Sequence, residues 1–358
     1  TGLIATYLYA FGFPLLIYIE RAFMNEALVI FLSLVCLVAT QRYLEAPRPR
    51  LGSLAILLAA GALIGAIKVP YLIILGPVAG LFLEKHGARA AQRWELWLVT
   101  AVSLAVTIAW YRHAHALGQA TGLSFGLGDK LFDAELMFSG KYPWKLVVRL
   151  FKDILGPVGF IATGIGLWMA VRGRRWCEVL GAAAFLFYLS LVVGGNFMHD
   201  YYQLAIMPMA PALVAPALFA ITTVPANWLF RYRYQLLAVL LGVAAFASFV
   251  RSTSFHSWYE YGADSVLFCE SVGRFAERDD RVVFIGNNDP ALLFCMDRKG
   301  WLVSESESTE ERIRSIWKAG AKIAVVPGAP LRDEVWRMLK TEAWPVFTAG
   351  RILVFRLP

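Results

Sequence analysis

Three short constellations in this 358-residue sequence combine residue types that move protons or hold anions, and each borders a long apolar run. An ionised group at bilayer depth costs ~2.5 to 3.5 kcal/mol on insertion scales, so polar residues there carry information. In IERAFMNEAL, Arg21 precedes Glu26, which opens the next helix, where a carboxylate meets the favourable end of the helix dipole. The group reads either as a charged turn that caps two helices, or as a site in which Glu26 binds a metal or positions an acceptor while Arg21 holds an anion. In AIKVPYL, Lys68 is an isolated cation at a span end. It either snorkels to the interface or neutralises a phosphate at the membrane surface. In GNFMHDYYQLAIMP, an aromatic belt accounts for Tyr201 and Tyr202, whereas the neighbouring His199 and Asp200 add a ligand, a proton shuttle or a phosphate donor.

A fourth stretch, YPWKLVVRLFKDILGP at 142–157, spaces Lys145, Arg149 and Lys152 at i, i+4 and i+7. The spacing predicts an interfacial amphipathic helix with these cations opposite Leu146, Val147 and Leu150. It serves either as a membrane-surface anchor or as a basic rim that collects a lipid phosphate.

The elements that must position these residues are set by composition. With 58% hydrophobic and only 17% charged residues, the chain is too apolar for a water-soluble enzyme. The net charge of +8 does not point to nucleic acid, because many cations cluster in connectors between apolar runs. About nine spans are predicted, near 3–19, 25–41, 51–67, 70–84, 94–110, 153–171, 177–195, 203–222 and 235–250. Alternate connectors carry Arg42, Arg48 and Arg50; Lys85, Arg89 and Arg93; Arg172, Arg174 and Arg175; and Arg231 and Arg233, which places them in the cytoplasm. The three constellations then share the extracytoplasmic face, as does the long loop 111–152.

After about residue 250 the pattern changes. Strand-like runs at 281–286, 322–326 and 351–357 alternate with helical stretches at 264–277, 308–319 and 331–342, so 251–358 reads as a small extracytoplasmic α/β domain with a mainly parallel sheet. Residues 1–250 form the transmembrane domain. Ser308 or Thr309 caps the helix that follows. The four cysteines form no metal-spaced cluster; Cys269 and Cys295 either pair in an oxidising compartment or stay thiols, and their apolar surroundings favour thiols.

In the order of these motifs, the sequence resembles the polyprenyl-phosphate-sugar-dependent glycosyltransferases of the GT-C superfamily, in the protein mannosyltransferase and aminoarabinose transferase branch. Arg21 and Glu26 match an Arg before a helix that opens with an acidic residue. Lys68, Val69 and Pro70 match a Lys-Gly-Pro-like element without its Gly, and His199, Tyr201, Tyr202 and Pro208 match a His-x-Tyr-Tyr stretch before a proline-containing helix. The tail is similar at 280–301 and 318–326. The resemblance implies an inner-membrane enzyme that moves a sugar from a polyprenyl-phosphate donor to an acceptor hydroxyl on a glycan, lipid or protein, with inversion. It also implies a carboxylate base, with cations or a divalent metal at the phosphate. Glu26 takes the family's second acidic position; Arg21, Lys68, His199, Asp200, Tyr201 and Tyr202 become substrate contacts, and Glu26 and His199 the metal candidates. The principal acidic residue of the family falls upstream of Thr1, so the chain reads as N-terminally truncated. Two other classes fit the composition: a transporter or flippase of a lipid-linked anion, and a scaffold whose outer domain binds a partner. Repeats and midplane charges, the usual marks of transporters, are absent from the sequence.

Overall fold

The computed structural model describes residues 1–19, 25–48, 50–121, 131–220, 231–255, 276–285, 291–327, 331–349 and 352–358. The chain divides into two units, Thr1–Ser257 and Trp258–Pro358. The first is helical: α1 (Gly2–Phe11), α2 (Pro14–Ile19), α3 (Asn25–Glu45), α4 (Leu51–Ile67), α5 (Leu75–His86), α6 (Trp94–Thr121), α7 (Ala134–Phe138), α8 (Lys141–Arg149), α9 (Gly156–Arg172), α10 (Trp176–Leu191), α11 (Val193–Met198), α12 (Ala210–Ala220) and α13 (Arg233–Thr253). Short 3-10 helices cover Val69–Ile74, Gly87–Gln92 and Asp200–Ile206, and a π-helical turn covers Leu150–Ile154.

Helical periodicity decides what is buried. In α3, Glu26, Val29, Ile30, Ser33, Cys36, Thr40 and Tyr43 fall along one stripe and face the interior. Ser33 and Thr40 donate their hydroxyls to the carbonyls of Val29 and Cys36, so neither leaves an orphan group. The opposite flank exposes Leu28, Phe31 and Val38. Small residues let α4 approach α6 closely: Gly61 lies over Ser103 and Gly65 over Thr107, the packing used between helices in a lipid solvent.

Among the described residues, three helical stretches are long and apolar enough to cross a membrane: α3, Trp94–Gln119 of α6, and α13. Lys141–Ile154 with Gly156–Arg172 and Asp200–Ile206 with Ala210–Ala220 reach that length only as pairs bent by 112° and 64°. Several of the expected spans are therefore broken rather than continuous. The stretch 3–19 divides before Pro14, and 70–84 starts as a 3-10 helix with Pro70 in its first turn. The segment 177–195 ends its helix at Leu191, and the bend before α9 centres on Gly156, at φ +67°. Proline lacks an amide donor and glycine tolerates left-handed backbone, which is why the chain turns at these positions.

Side-chain bonds order the ends of the unit. Tyr43, at the end of α3, donates to Glu95 Oε1 at 2.7 Å, and Arg93 donates to the same oxygen at 2.6 Å. Glu84 of α5 accepts from the Cys177 amide of α10 at 2.8 Å. Connectors 41–50, 85–93 and 172–175 therefore lie at one end of the helices.

In the second unit, β1 (Arg281–Ile285), β2 (Gly300–Val303), β3 (Ala321–Pro327), β4 (Trp344–Ala349) and β5 (Ile352–Arg356) form a sheet of order β2-β1-β3-β5-β4. Strands β2, β1 and β3 are parallel, but β5 runs antiparallel to β3 and to β4. The sheet is therefore mixed rather than mainly parallel, because the last two strands form a hairpin. Helices α14 (Ala291–Cys295), α15 (Glu310–Lys318) and α16 (Asp333–Glu342) accompany it. Thr309, not Ser308, caps α15 by accepting from the Arg312 amide. Arg314 ties α15 to α16 through both oxygens of Glu342, and these hydrogen bonds hold the Glu342 carboxyl below the ordinary carboxylate range. Cys295 is disulfide-bonded while Cys36 and Cys177 are free, which corrects the expectation of a thiol at 295. Cys269 and the helix expected over 264–277, apart from its last two residues, lie outside the described residues.

Candidate functional site

At the other end of the helical unit, breaks in the helices bring the polar candidates together. Glu26 stands in the first turn of α3 and is fully buried. Lys68 occupies the extended residue between α4 and the 3-10 helix Val69–Ile74, at φ −157° and ψ 99°, so its side chain leaves the helix axis. Its ammonium forms a buried ion pair with Glu26 Oε1. The same ammonium lies 4.7 Å from the centre of the Tyr201 ring and 4.8 Å from that of Tyr202. Both ring faces carry negative potential and attract the cation. His199 completes the cluster, stacked at 5.1 Å on Tyr201 and tilted at 5.3 Å on Tyr202.

Of the residues singled out in the sequence, Glu26, Lys68, His199, Tyr201 and Tyr202 thus meet in one site. Asp200 points elsewhere: its carboxylate accepts from the Tyr201 amide at 2.9 Å and interacts electrostatically with Lys145 and Arg149 of α8. Arg21 lies outside the described residues.

A second set of buried residues holds the 199–202 segment and carried no chemical signal in the sequence. Gln203, fully buried, donates to the Asn196 carbonyl at 3.0 Å and to its side-chain oxygen at 2.9 Å. Arg149 donates to the same Asn196 carbonyl at 2.7 Å. Gly195 lies against the Tyr202 ring, where a Cβ would sit 2.5 Å from Cε2. Tyr71 is also buried, interacts electrostatically with Glu26, and its hydroxyl has no hydrogen-bond partner among the described residues.

Glu26 Oε2 is likewise buried without a partner among the described residues. The site therefore holds an ion pair with one acceptor oxygen and one phenol unpartnered among the described residues. Such a pair, desolvated between aromatic faces, can stabilise charge that develops on an incoming group. The tyrosine and imidazole faces can pack on the C–H face of a sugar ring. Among the described residues no group of three or more His, Cys, Asp or Glu side chains gathers to hold a metal.

No family model matches the chain, and no curated protein matches it. Solved structures do. The crystal structure of ArnT from Cupriavidus metallidurans in the apo state matches with a TM-score of 0.58 at 15% identity, covering 99% of this chain and 79% of that one. The same protein bound to undecaprenyl phosphate matches with a TM-score of 0.50 at 13% identity, covering 93% and 83%. The chain has the fold of ArnT. At these identities the likeness is one of fold, and it spans the helical unit and the C-terminal sheet alike. The placement of the individual residues rests on the geometry above.

Proposed function

We propose that this chain is a membrane glycosyltransferase that moves a sugar from a polyprenyl-phosphate donor to an acceptor hydroxyl on the extracytoplasmic side of the inner membrane. The observation that carries the reading is the convergence of Glu26, Lys68, His199, Tyr201 and Tyr202 at one end of a helical unit with the ArnT fold. That an ArnT structure holds undecaprenyl phosphate supports the donor class.

In this reaction the acceptor oxygen forms a bond to the anomeric carbon as the bond to the lipid phosphate breaks, with inversion at that carbon. The acceptor proton passes to a carboxylate base, and the departing oxygen carries the electron pair. Glu26 supplies a carboxylate whose Oε2, unpartnered among the described residues, can orient the acceptor hydroxyl, while Lys68 pairs with Oε1 and places positive charge beside the leaving oxygen. Tyr201 and Tyr202 fix the ammonium and wall the sugar. A divalent ion, where the reaction uses one, would draw on Glu26 and His199 and add charge stabilisation at the phosphate. The sugar, hexose or pentose, and the acceptor, be it glycan, lipid or protein, are selected by parts of the site beyond this cluster. The C-terminal unit is assigned to the same outer side.

The test uses the full chain in membranes and a labelled polyprenyl-phosphate sugar. Glu26→Gln keeps the shape of the side chain but removes its charge, and transfer should fall by at least about a hundredfold, the lower bound for a positioned acid or base. Lys68→Met should also lower turnover, and because it leaves Glu26 buried and unpaired it should destabilise the unit by roughly 3 to 5 kcal/mol. Undiminished turnover in both variants would remove the site assignment.

A further inference from the structure

A tyrosine that is buried usually finds a partner for its hydroxyl. Among the described residues the buried tyrosines are Tyr43, Tyr71, Tyr142 and Tyr188. Tyr43 donates to Glu95 at 2.7 Å, Tyr142 to the Leu189 carbonyl at 2.5 Å and Tyr188 to the Tyr202 carbonyl at 3.4 Å. Tyr71, only 1% exposed, has no partner for its hydroxyl among the described residues. Its phenol has given up its bonds to water without replacement, so it calls for a cause.

The cause lies next to it. The Tyr71 amide donates to the Lys68 carbonyl at 3.1 Å, and the 3-10 helix Val69–Ile74 packs on α3, on α10 and on the 3-10 helix Asp200–Ile206. Those elements carry Glu26, Tyr188, Tyr201 and Tyr202, and Glu26 acts electrostatically on these three phenols and on Tyr71. Lys68 takes Glu26 Oε1, while Oε2 is buried and, like the Tyr71 hydroxyl, unpartnered among the described residues. The two atoms are complementary, since an ionised carboxylate oxygen only accepts and a phenol O–H donates. A hydroxyl group serves both: it gives its hydrogen to Oε2 and receives the phenol hydrogen on a lone pair. An ammonium has no lone pair to receive it, and an anion would meet Oε2 as a like charge. Lys68, His199, Tyr201 and Tyr202 are half-buried and form the side of the cluster that reaches the surface.

We propose that Tyr71 and Glu26 Oε2 clamp a single hydroxyl group, that of the acceptor. The proposal rests on the function proposed above and deepens it by adding Tyr71 to the residues that touch substrate. The acceptor oxygen has two lone pairs. With one held by the Tyr71 O–H and the hydrogen aimed at Oε2, the other pair is left to attack the anomeric carbon, so the clamp sets the line of attack. The acceptor proton passes to Oε2 as that bond forms and the bond to the lipid phosphate breaks. Tyr71 keeps its own proton throughout.

Trifluoroethanol, a minimal alcohol that fluorine NMR can follow, tests the clamp on the full chain in detergent without any turnover. Tyr71→Phe keeps the ring and removes the hydroxyl, and it should weaken trifluoroethanol binding by about three- to tenfold, the factor for one neutral hydrogen bond. The methyl ether of the same alcohol, which has no hydrogen to give Oε2, should bind the parent weakly and the variant no better. Because the Tyr71 hydroxyl is unpartnered in the fold, Tyr71→Phe should not lower the melting temperature. Tyr43→Phe, whose hydroxyl is spent on Glu95, should lower it by at least about 2 °C and leave alcohol binding unchanged. With labelled polyprenyl-phosphate sugar, Tyr71→Phe should lower transfer by at least about tenfold at unchanged affinity for the donor. Equal alcohol binding by parent and Tyr71→Phe, or none by the parent, would overturn the proposal, as would undiminished transfer in that variant. A lower melting temperature for Tyr71→Phe would also overturn it, by showing that the hydroxyl is spent inside the fold. So would weaker binding of the donor, which would give the clamp to a hydroxyl of the sugar. If alcohol binding behaves as expected and the parent transfers no sugar, the hydroxyl clamp stands and the glycosyltransferase reading falls.

Discussion

Gly195 shows how tightly the aromatic cluster depends on single residues. A Cβ at this position would lie 2.5 Å from Tyr202 Cε2 and 2.9 Å from Cδ2, contacts that only a displaced ring can relieve. Gly195→Ala should therefore push Tyr202 away from the Lys68 ammonium. Overpacking of this kind typically costs about 1 to 3 kcal/mol, and about 1.4 kcal/mol of lost transition-state stabilisation is a tenfold drop in rate. Transfer activity should fall by about tenfold or more, and in a Tyr202→Ala background the same glycine change should add nothing. A further loss in that background would show that Gly195 acts through something other than the ring. Residues of this kind were not legible in the sequence. Glu26, Lys68, His199, Tyr201 and Tyr202 stood out because ionisable and hydrogen-bonding groups are costly beside apolar runs. Gly195, Asn196, Gln203 and Tyr71 match the ordinary composition of a membrane helix, and their roles depend on which backbone they meet.

At the level of helices, hydropathy gives the position of an apolar segment but not its straightness. A window long enough to detect a span averages over the one or two residues at which the chain bends, so Pro14 and Gly156 fall inside the expected spans 3–19 and 153–171 without any sign that the helix breaks there. The short strands β2 and β4 were missed for a related reason. Each lies at an edge of the sheet, β4 contains Pro345, and Trp344 is exposed, so neither gives a sustained alternation. Crossings between helices, in contrast, depend on glycines that a sequence displays but does not rank. On α9, Gly166 abuts the Leu213 backbone of α12, whereas nothing lies within 4 Å of a Cβ built at Gly164. Gly166→Ala must separate the two helices or displace backbone, so it should lower thermal stability in detergent by more than the ~1 to 3 kcal/mol of a side-chain overpacking. Gly164→Ala, two residues away on the same helix, should be neutral or slightly stabilising, since alanine is the better helix former by about 1 kcal/mol. Equal melting temperatures for the two variants would show that the α9–α12 contact is not held by close backbone approach.

For the chain as a whole, the physical claim concerns the two ends of the helical unit. Helix α3 links them: Glu26 near its start belongs to the Lys68 and tyrosine cluster, and Tyr43 near its end belongs to the Arg93 and Glu95 network. Seventeen residues at 1.5 Å each separate the two by about 26 Å, close to the thickness of a hydrocarbon core. The basic connectors gather at the Tyr43 end, as retention of positive charge on one side of a membrane requires. The arrangement predicts opposite accessibility for Ala88, in the connector after α5, and Ser139, in the connector before α8, both exposed. With Cys177 replaced by Ser and Cys36 buried, a membrane-impermeant maleimide applied to intact, outer-membrane-permeable cells should label Ser139→Cys at once. Ala88→Cys should react only after the inner membrane is opened. Labelling of both from the same side would mean that the helices between them do not carry the chain across. The candidate site and the basic connectors would then share one aqueous compartment, and no lipid-phosphate donor could reach Lys68 from the opposite leaflet.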